Sequence, residues 1–354
     1  MSTSADAHGQ TGPDTAEIDA LFEQAGLVRS LRGKAVGVLR RARFERADPG
    51  ELSRRAAAPR LAENGVVWLA ARGWHQFRWL WHGFSTRQGG RSRAYCAEGA
   101  TGELNLGFTA ADAREAVTRN RRLLAEAVTG DPATPLVTLH QIHSTLSRTC
   151  GTKDNGREKP CKGDSLMTDE PGVLLGVQTA DCIPVLVADR KRRAVAAFHA
   201  GWRGTAARIV ECGIGRMRLE FGSRPEDLVA AIGPGIGPCC YAVGEEVLSQ
   251  FVSQFAYFMD LFREVYDSDA VRAKYPMLFL SQRAPGHSAT GPSLHLDLVE
   301  ANRRQLVDAG LKPRAIKLVG GCTSCQPELF FSHRASQGHA GRMLSVIGIR
   351  QDGS

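Results

Sequence analysis

The chain lacks the long apolar runs that direct a protein to or through a membrane. Among its 354 residues, no stretch approaches the roughly 20 apolar residues of a membrane-spanning helix. The N-terminal segment MSTSADAHGQTGPDTAEIDA has no apolar core of a secretory signal, and the nine cysteines are an odd number. We therefore expect a cytoplasmic protein with reduced thiols and no membrane contact.

Recognised nucleic-acid-binding motifs are also absent, although the chain is basic. Lys and Arg number 45 against 37 acidic residues, a net charge of +8, and part of the excess lies in the Arg-rich stretch RSLRGKAVGVLRRARFER. Without an accompanying motif, this charge favours small anionic substrates rather than nucleic acid.

The sequence has no internal repeat or heptad; instead, short apolar runs alternate with segments of helical periodicity. REAVTRNRRLLAEAV, ARIVECGIGRMRLEF and EEVLSQFVSQF predict helices, whereas GVLLGVQTADCIPVLVAD, RAVAAFHAGW and MLSVIGIR predict strands. This alternation, with 43% apolar residues, is typical of a mixed α/β domain. We predict a disordered N-terminus over 1–15, a helical extension over 16–75 and a single catalytic domain over 76–354.

The segment AVAAFHAGWRGTA runs from an apolar strand directly into a histidine, an indole and a guanidinium. If the preceding strand turns back through DRKRR, an even loop centred between Arg190 and Lys191 places Cys182 directly opposite His199. Directly opposed side chains share a sheet face with Cβ atoms about 4.5–5.5 Å apart, which suits two ligands of one metal ion. A slip of one residue would move one ligand to the other face, so the prediction depends on the register.

The stretch LHQIH offers the third ligand that such a site needs. A catalytic zinc ion takes three protein ligands and keeps one position open for water or substrate. On a strand, His140 and His143 point to opposite faces, and His143 is the candidate because it stands where the strand opens into a loop. Each residue alone is more often a core cysteine or a hydrogen-bonded histidine, so the prediction rests on His143, Cys182 and His199 together.

Several motifs in one order carry a family resemblance. From about Trp81 to Arg350, the segments QIH, GDSLMT, TADCIPVLV, HAGWRGTA, AIGPGIGPCCYAVG, LDLVEANRRQL and GRMLSVI resemble the laccase-domain family. That family was formerly called the multicopper polyphenol oxidases and is better described as zinc-dependent purine nucleoside phosphorylases. The chain departs from it at Ser144, where a glycine is usual, in a longer loop from Cys150 to Cys161, and in residues 1–75, which have no counterpart.

The resemblance implies a zinc ion bound by His143, Cys182 and His199, with copper as the alternative ion. It implies an α+β fold in which mixed β-sheets pack as a sandwich with helices on the outer faces, in α/β/β/α layers. It also implies phosphorolysis of adenosine, inosine or methylthioadenosine to the base and ribose 1-phosphate, with adenosine deamination as a further activity. Other members are credited with polyphenol oxidation or with editing of peptidoglycan precursors.

Each implied reaction requires further side chains. Phosphate must be held beside the anomeric carbon, and Arg87 in STRQGG and Arg203 in GWRG are the candidates because an arginine fork matches its oxygens. Deamination requires a carboxylate that moves a proton near zinc-bound water, and Asp164 in GDSLMT and Asp181 beside Cys182 are the candidates. By strand alternation Asp181 points to the other face and would orient the site indirectly. The nucleobase-deaminase signature is absent.

Two other classes of protein stay open at this stage. Cys182 as nucleophile with His199 as base would make a cysteine hydrolase, which a chelator would not inhibit. A non-enzymatic binding protein with a structural zinc ion could use CTSC at 322–325, although a single Cys-x-x-Cys pair is a weak signal. Cys239 and Cys240 are interpreted as packing residues beside a Gly/Pro turn, with lining of the pocket as the alternative. We expect purine nucleosides and phosphate as ligands, and a monomer or weak homodimer.

Overall fold

The structure is a computed structural model that describes residues 58–96, 102–157, 159–265 and 293–351. The strands within these ranges are β1 (Arg60–Leu61), β2 (Val67–Leu69), β3 (Leu80–Ser85), β4 (Gln88–Ser92), β5 (Leu136–Thr138), β6 (Ser147–Thr149), β7 (Ser165–Thr168), β8 (Leu174–Thr179), β9 (Ile183–Asp189), β10 (Val195–Ala200), β11 (Leu228–Ile232), β12 (Ala242–Val243), β13 (Phe262–Val265), β14 (Ser293–Leu296), β15 (Ile316–Leu318) and β16 (Met343–Ile349). The α-helices are α1 (Arg114–Thr129), α2 (Trp202–Ala206), α3 (Ile209–Phe221), α4 (Glu245–Gln254) and α5 (Leu298–Asp308).

Two six-stranded mixed sheets form the centre of the fold. The strand order is β1-β2-β3-β16-β8-β5 in the first and β15-β11-β9-β10-β7-β6 in the second, and β12-β14-β13 form a small third sheet. Three pairs are parallel, namely β5 with β8, β6 with β7 and β11 with β15. None of the helices in the described ranges combines the length and apolarity needed to cross a membrane.

Alternating side chains on the central strands build separate apolar layers. On β10, Val195 and Ala197 pack in the cluster between the two large sheets, whereas Ala196 and Phe198 pack against α3, α4 and α5. Helix α1 covers the outer face of the first sheet through Leu124 and its neighbours. The predicted α/β/β/α sandwich is therefore confirmed, and β10 is apolar apart from His199 near its end because both of its faces are buried.

The N-terminal edge of the first sheet lies inside the segment predicted to be a helical extension. Strands β1 and β2 pair with each other, and β2 pairs with β3, all antiparallel. Trp68 packs on the outer face of the sheet and Leu69 packs between the two large sheets, so this apolar stretch forms a strand rather than an appended helix. The domain thus includes strands before the predicted boundary at residue 76, and the predicted disordered segment 1–15 and the part of the predicted 16–75 extension up to residue 57 lie outside the described residues.

The β9–β10 hairpin differs from the predicted register by two residues. His199 lies opposite Pro184, and Ala200 lies opposite Ile183, so Cys182 is not the direct partner of His199. A shift of two residues keeps every side chain on its original face. The predicted pairing is therefore wrong, while the prediction that both side chains share one face survives.

The loop of this hairpin explains the difference. The Asp189 carboxylate accepts the backbone N–H groups of Lys191 and Arg192 at 2.8 and 2.9 Å. Arg193 adopts a φ of 53°, and Asp189 N–H donates to the Ala194 carbonyl at 2.8 Å. Because the Asp189 side chain organises the turn, the loop is longer than the two-residue turn predicted from DRKRR.

Candidate metal centre

Three side chains with metal-ligating atoms converge beside the end of β10. One ligand atom each from His143, Cys182 and His199 lies within 4.8 Å of the others. Cys182 Sγ is 4.0 Å from His143 Nε2, and the two imidazole rings are 4.9 Å apart at 71°. These are the three residues predicted from the sequence; His140 instead lines a separate cleft of about 830 Å³.

A buried carboxylate orients one of the two imidazoles. Asp164 Oδ1 accepts a hydrogen bond from His199 Nδ1 at 2.9 Å, and both side chains are almost fully buried. Because a carboxylate only accepts, the Nδ1 atom carries the proton and the Nε2 lone pair is available to an ion. This is the usual second partner of a metal-bound histidine.

The same carboxylate positions the loop that carries His143. Asp164 accepts the backbone N–H groups of His143 at 3.0 Å and of Ser144 at 2.6 Å, and the Ser144 hydroxyl donates to it at 2.7 Å. His143 sits at a φ of 58°, a conformation that these hydrogen bonds support. The serine that replaces the usual glycine thus adds a bond to the carboxylate instead of disturbing it.

The hydrogen bonds to Asp164 also keep its carboxyl group ionised. Burial works to raise its pKa, but the hydrogen bonds from His199 and Ser144 outweigh burial and hold the pKa well below its usual range. An ionised carboxylate with both oxygens engaged by protein donors is poorly suited to moving a proton. These contacts favour a positioning role for Asp164 over the predicted role of proton carrier.

In the protein without a metal ion, Cys182 and His199 shift the pKa values of each other. Burial alone would raise the pKa of Cys182, but the positive charge of His199 and a hydrogen bond from His143 lower it to about 6. Burial likewise opposes charge on His199, whereas the Cys182 thiolate and Asp164 raise its pKa to about 9. A divalent ion would take the place of the imidazolium proton as the partner of the thiolate.

The glycine after β10 makes room for two of these ligands. A Cβ atom on Gly201 would lie 3.0 Å from Cys182 Sγ and 3.0 Å from His143 Cδ2. Any side chain at this position would be in close contact with both candidate ligands and would displace at least one of them. This contact explains why a glycine interrupts the sequence between His199 and Trp202.

Asp181 braces the loop before Cys182. Its Oδ1 accepts the Thr323 hydroxyl and its Oδ2 accepts the Arg334 backbone N–H, both at 2.7 Å. Asp181 itself has a φ of 90°, which is rare for a residue with a side chain. Because both oxygens are engaged by the protein, these contacts favour the indirect, orienting role of Asp181 over a direct catalytic one.

Arg87 has protein partners for each guanidinium nitrogen. Nε pairs with Glu103 at 2.9 Å, and the other two nitrogens donate to the carbonyls of Pro327 at 2.7 Å and Tyr95 at 3.0 Å. The guanidinium also lies 4.7 Å from the Phe331 ring centroid. These contacts describe a structural brace between distant segments rather than the predicted phosphate ligand.

Two other arginines lie around Tyr241, close to the three ligands. Burial, followed by the negative charge of Cys182, raises the pKa of Tyr241 to about 12, and the charges of Arg334 and Arg203 oppose this shift. Arg203 is exposed and stacks on the Trp202 ring at 4.4 Å. Arg334 and Tyr241 were missed from the sequence, since no spacing links them to the ligand motifs.

The chain belongs to the family described as multi-copper polyphenol oxidoreductase laccase, whose model matches residues 81–350. Its curated relatives include the purine nucleoside phosphorylase YlmD of Geobacillus stearothermophilus, 35% identical over 297 residues that cover 80% of this chain and 96% of the relative. A purine nucleoside phosphorylase of Bacteroides thetaiotaomicron is 37% identical over 276 residues, covering 76% of this chain and 92% of the relative.

Solved structures share the fold over nearly their whole length. The crystal structure of YlmD from Geobacillus stearothermophilus matches with a TM-score of 0.65 and 33% identity, over 83% of this chain and 99% of that one. The hypothetical protein YfiH of Bacillus licheniformis matches with a TM-score of 0.67 and 30% identity, over 82% of this chain and 99% of that one. The resemblance inferred from the motifs is thus confirmed at the level of family and fold.

Proposed function

We propose that this protein is a zinc-dependent purine nucleoside phosphorylase, which converts a purine nucleoside and phosphate to the free base and ribose 1-phosphate. The observation that carries the proposal is the set of His143, Cys182 and His199 braced by Asp164, in a chain whose curated relatives are named purine nucleoside phosphorylases. The donor atoms of this set, and the hydrogen bond from His199 to Asp164, suit a metal enzyme.

The donor set fits zinc. Two imidazole nitrogens and a thiolate are ligands that zinc accepts, and three protein ligands leave a position for water or substrate. A bound zinc ion would act as a Lewis acid and lower the pKa of a bound water to about 7. Copper also binds His and Cys donors, so metal analysis must distinguish the two ions.

Other side chains of the protein would bind phosphate and hold the candidate metal ligands in position. Arg203 lines a cavity of about 340 Å³ beside α2 and has an exposed guanidinium, which can bind phosphate oxygens in a fork. Arg334, whose guanidinium lies 5.2 Å from the Tyr241 ring centroid, would add a second positive charge. Asp164 would keep His199 in one tautomer, and Asp181 would keep the Cys182 loop in place.

A reducing compartment suits this site because the thiol of Cys182 must stay reduced to bind an ion. We therefore propose that the protein works in the cytoplasm, where thiols are kept reduced.

The test is product analysis with purified full-length protein and a panel of adenosine, inosine and methylthioadenosine. We expect release of base that requires phosphate, stops after chelation and returns when zinc is added back. Cys182→Ala should abolish it, while Cys212→Ser, which changes an exposed cysteine on α3, should not.

Other outcomes would replace the proposal. Base release without phosphate would indicate a nucleoside hydrolase, and ammonia release from adenosine without phosphate would indicate a deaminase. Turnover that survives chelation but not Cys182→Ala would support the cysteine hydrolase interpretation.

A further inference from the structure

A second group of four sulfur atoms lies outside the centre described above. The Sγ atoms of Cys239, Cys240, Cys322 and Cys325 all lie within 4.8 Å of one another. Cys325 Sγ is 3.4 Å from Cys239 Sγ and 3.3 Å from Cys240 Sγ. Cys239 is exposed, so the prediction that it is a packing residue is wrong.

The sheet topology explains how residues so far apart in sequence come together. β11 and β15 are parallel neighbours at one edge of the second sheet, so their carboxyl ends lie side by side. A parallel bridge between Gly235 and Cys322 continues this pairing into the two loops. Each loop then turns and presents two cysteines to the other.

The spacing of the sulfur atoms fits a single metal ion. Four thiolates at about 2.3 Å from a tetrahedral zinc ion would be separated by about 3.8 Å from each other. A multinuclear iron–sulfur cluster would need ligands spread more widely than one ion does. All four sulfur atoms converge on one point, whereas a disulfide would bring only two together.

The loop backbone is shaped around these sulfur atoms. Gly237 N–H donates to Cys322 Sγ at 3.2 Å, a contact that favours a thiolate over a thiol. A Cβ atom on Gly237 would lie 3.1 Å from Cys322 Cβ and 3.2 Å from Cys239 Sγ. The glycine therefore allows the first loop to approach the second closely enough for the four cysteines to meet.

We propose that Cys239, Cys240, Cys322 and Cys325 bind a second ion, a zinc held by four thiolates in a structural site. Soft thiolate donors in a compact set select zinc over harder divalent ions. Four protein ligands leave no open position, so this ion would take no part in the reaction. Binding would release the thiol protons to solvent and change no oxidation state.

The proposed site connects to the first centre through hydrogen bonds to Asp181, including one from the backbone N–H of Ile236 at 2.8 Å. Thr323 lies between Cys322 and Cys325 and donates its hydroxyl to Asp181, the residue before Cys182. An ion that holds the 322–325 turn would therefore also hold the loop that carries Cys182. Asp181, with its φ of 90°, depends on such external support.

Metal counting in full-length protein tests the proposal. We expect two zinc ions per chain in the unchanged protein purified under reducing conditions, one in Cys182→Ala and one in Cys325→Ser. The matched control Cys212→Ser should keep two, because that cysteine lies outside both groups. Cobalt added to the metal-free Cys182→Ala variant should give intense sulfur-to-cobalt charge-transfer absorption. The double variant that carries Cys182→Ala and Cys325→Ser should lack this absorption.

A measurement on the protein without substitutions tests the proposal even where a variant fails to fold. In the zinc-loaded protein, the exposed Cys239 and Cys325 should resist alkylation, and chelation should make them reactive, as mass spectrometry of the peptides would show. Alkylation at the same rate before and after chelation would overturn the proposal. So would a single zinc ion that Cys182→Ala removes completely, or a disulfide among these cysteines in the reduced preparation.

Discussion

Replacing Gly201 by alanine tests the candidate centre through one methyl group. The backbone at this position has φ −70° and ψ 172°, which alanine adopts without strain. The added Cβ would lie 3.0 Å from both Cys182 Sγ and His143 Cδ2. Since non-bonded carbon atoms prefer about 3.5–4.0 Å, the ligands must move by about 0.5–1 Å.

Such a movement is large for a metal site, where ligand distances hold to within about 0.2 Å. We expect zinc affinity to fall about 10–100-fold, the range seen when residues that support metal ligands are replaced. This corresponds to about 1.4–2.7 kcal/mol at 1.36 kcal/mol per tenfold change. Competition against a chromogenic chelator measures the affinity directly.

Gly204→Ala is the matched control for this experiment. Its Cβ would meet nothing closer than 3.4 Å, and the position lies inside α2. This variant should keep the affinity of the unchanged protein and gain about 0.4–1 kcal/mol of stability, because alanine restricts the unfolded chain. Equal zinc affinity in Gly201→Ala and the unchanged protein would show that these residues do not bind the ion together.

Three further predictions follow from the contacts. Asp164→Asn should lower zinc affinity about 10–100-fold, measured by the same chelator competition, because the amide cannot support His199 and the loop together; unchanged affinity would contradict this role. Arg87→Ala should lower the free energy of unfolding by about 1–3 kcal/mol in denaturant titrations without raising the KM for phosphate, whereas a raised KM at unchanged stability would restore its predicted role in phosphate binding. In metal-free protein, alkylation of Cys182 should slow only as the pH falls through about 6, since its depressed pKa keeps the thiolate above that pH; a midpoint near that of an ordinary thiol would refute the polarised pair.

The sequence predicted the three candidate ligands that converge in the first centre, despite an error in the hairpin register. Directly opposed pairing of Cys182 and His199 was wrong by two residues, yet a strand has a period of two, so the ligands stayed on one face. The layered fold could also be predicted from the sequence, because continuous apolar runs such as AVAAF indicate a strand that is buried on both faces.

What the sequence could not predict depends on contacts between distant segments. The partners of Arg87 come from Tyr95, Glu103 and Pro327, and the last of these is 240 residues away. The four-cysteine group requires β11 and β15 to be neighbours, which no local pattern reveals. Asp164 was predicted to move a proton because the loop donors that engage its oxygens are brought to it only by folding.

The buried carboxylate has a consequence for the valence of the ion. The Cys182 thiolate and the buried Asp164 carboxylate bring two formal negative charges to the centre. A dication neutralises both, whereas monovalent copper would leave one charge uncompensated at a substantial cost in free energy. A neutral centre would in turn offer little attraction to phosphate, so recognition of that anion would depend on the arginines around Tyr241. Preference for a divalent ion and reliance on arginine for phosphate are then two results of the same charge balance.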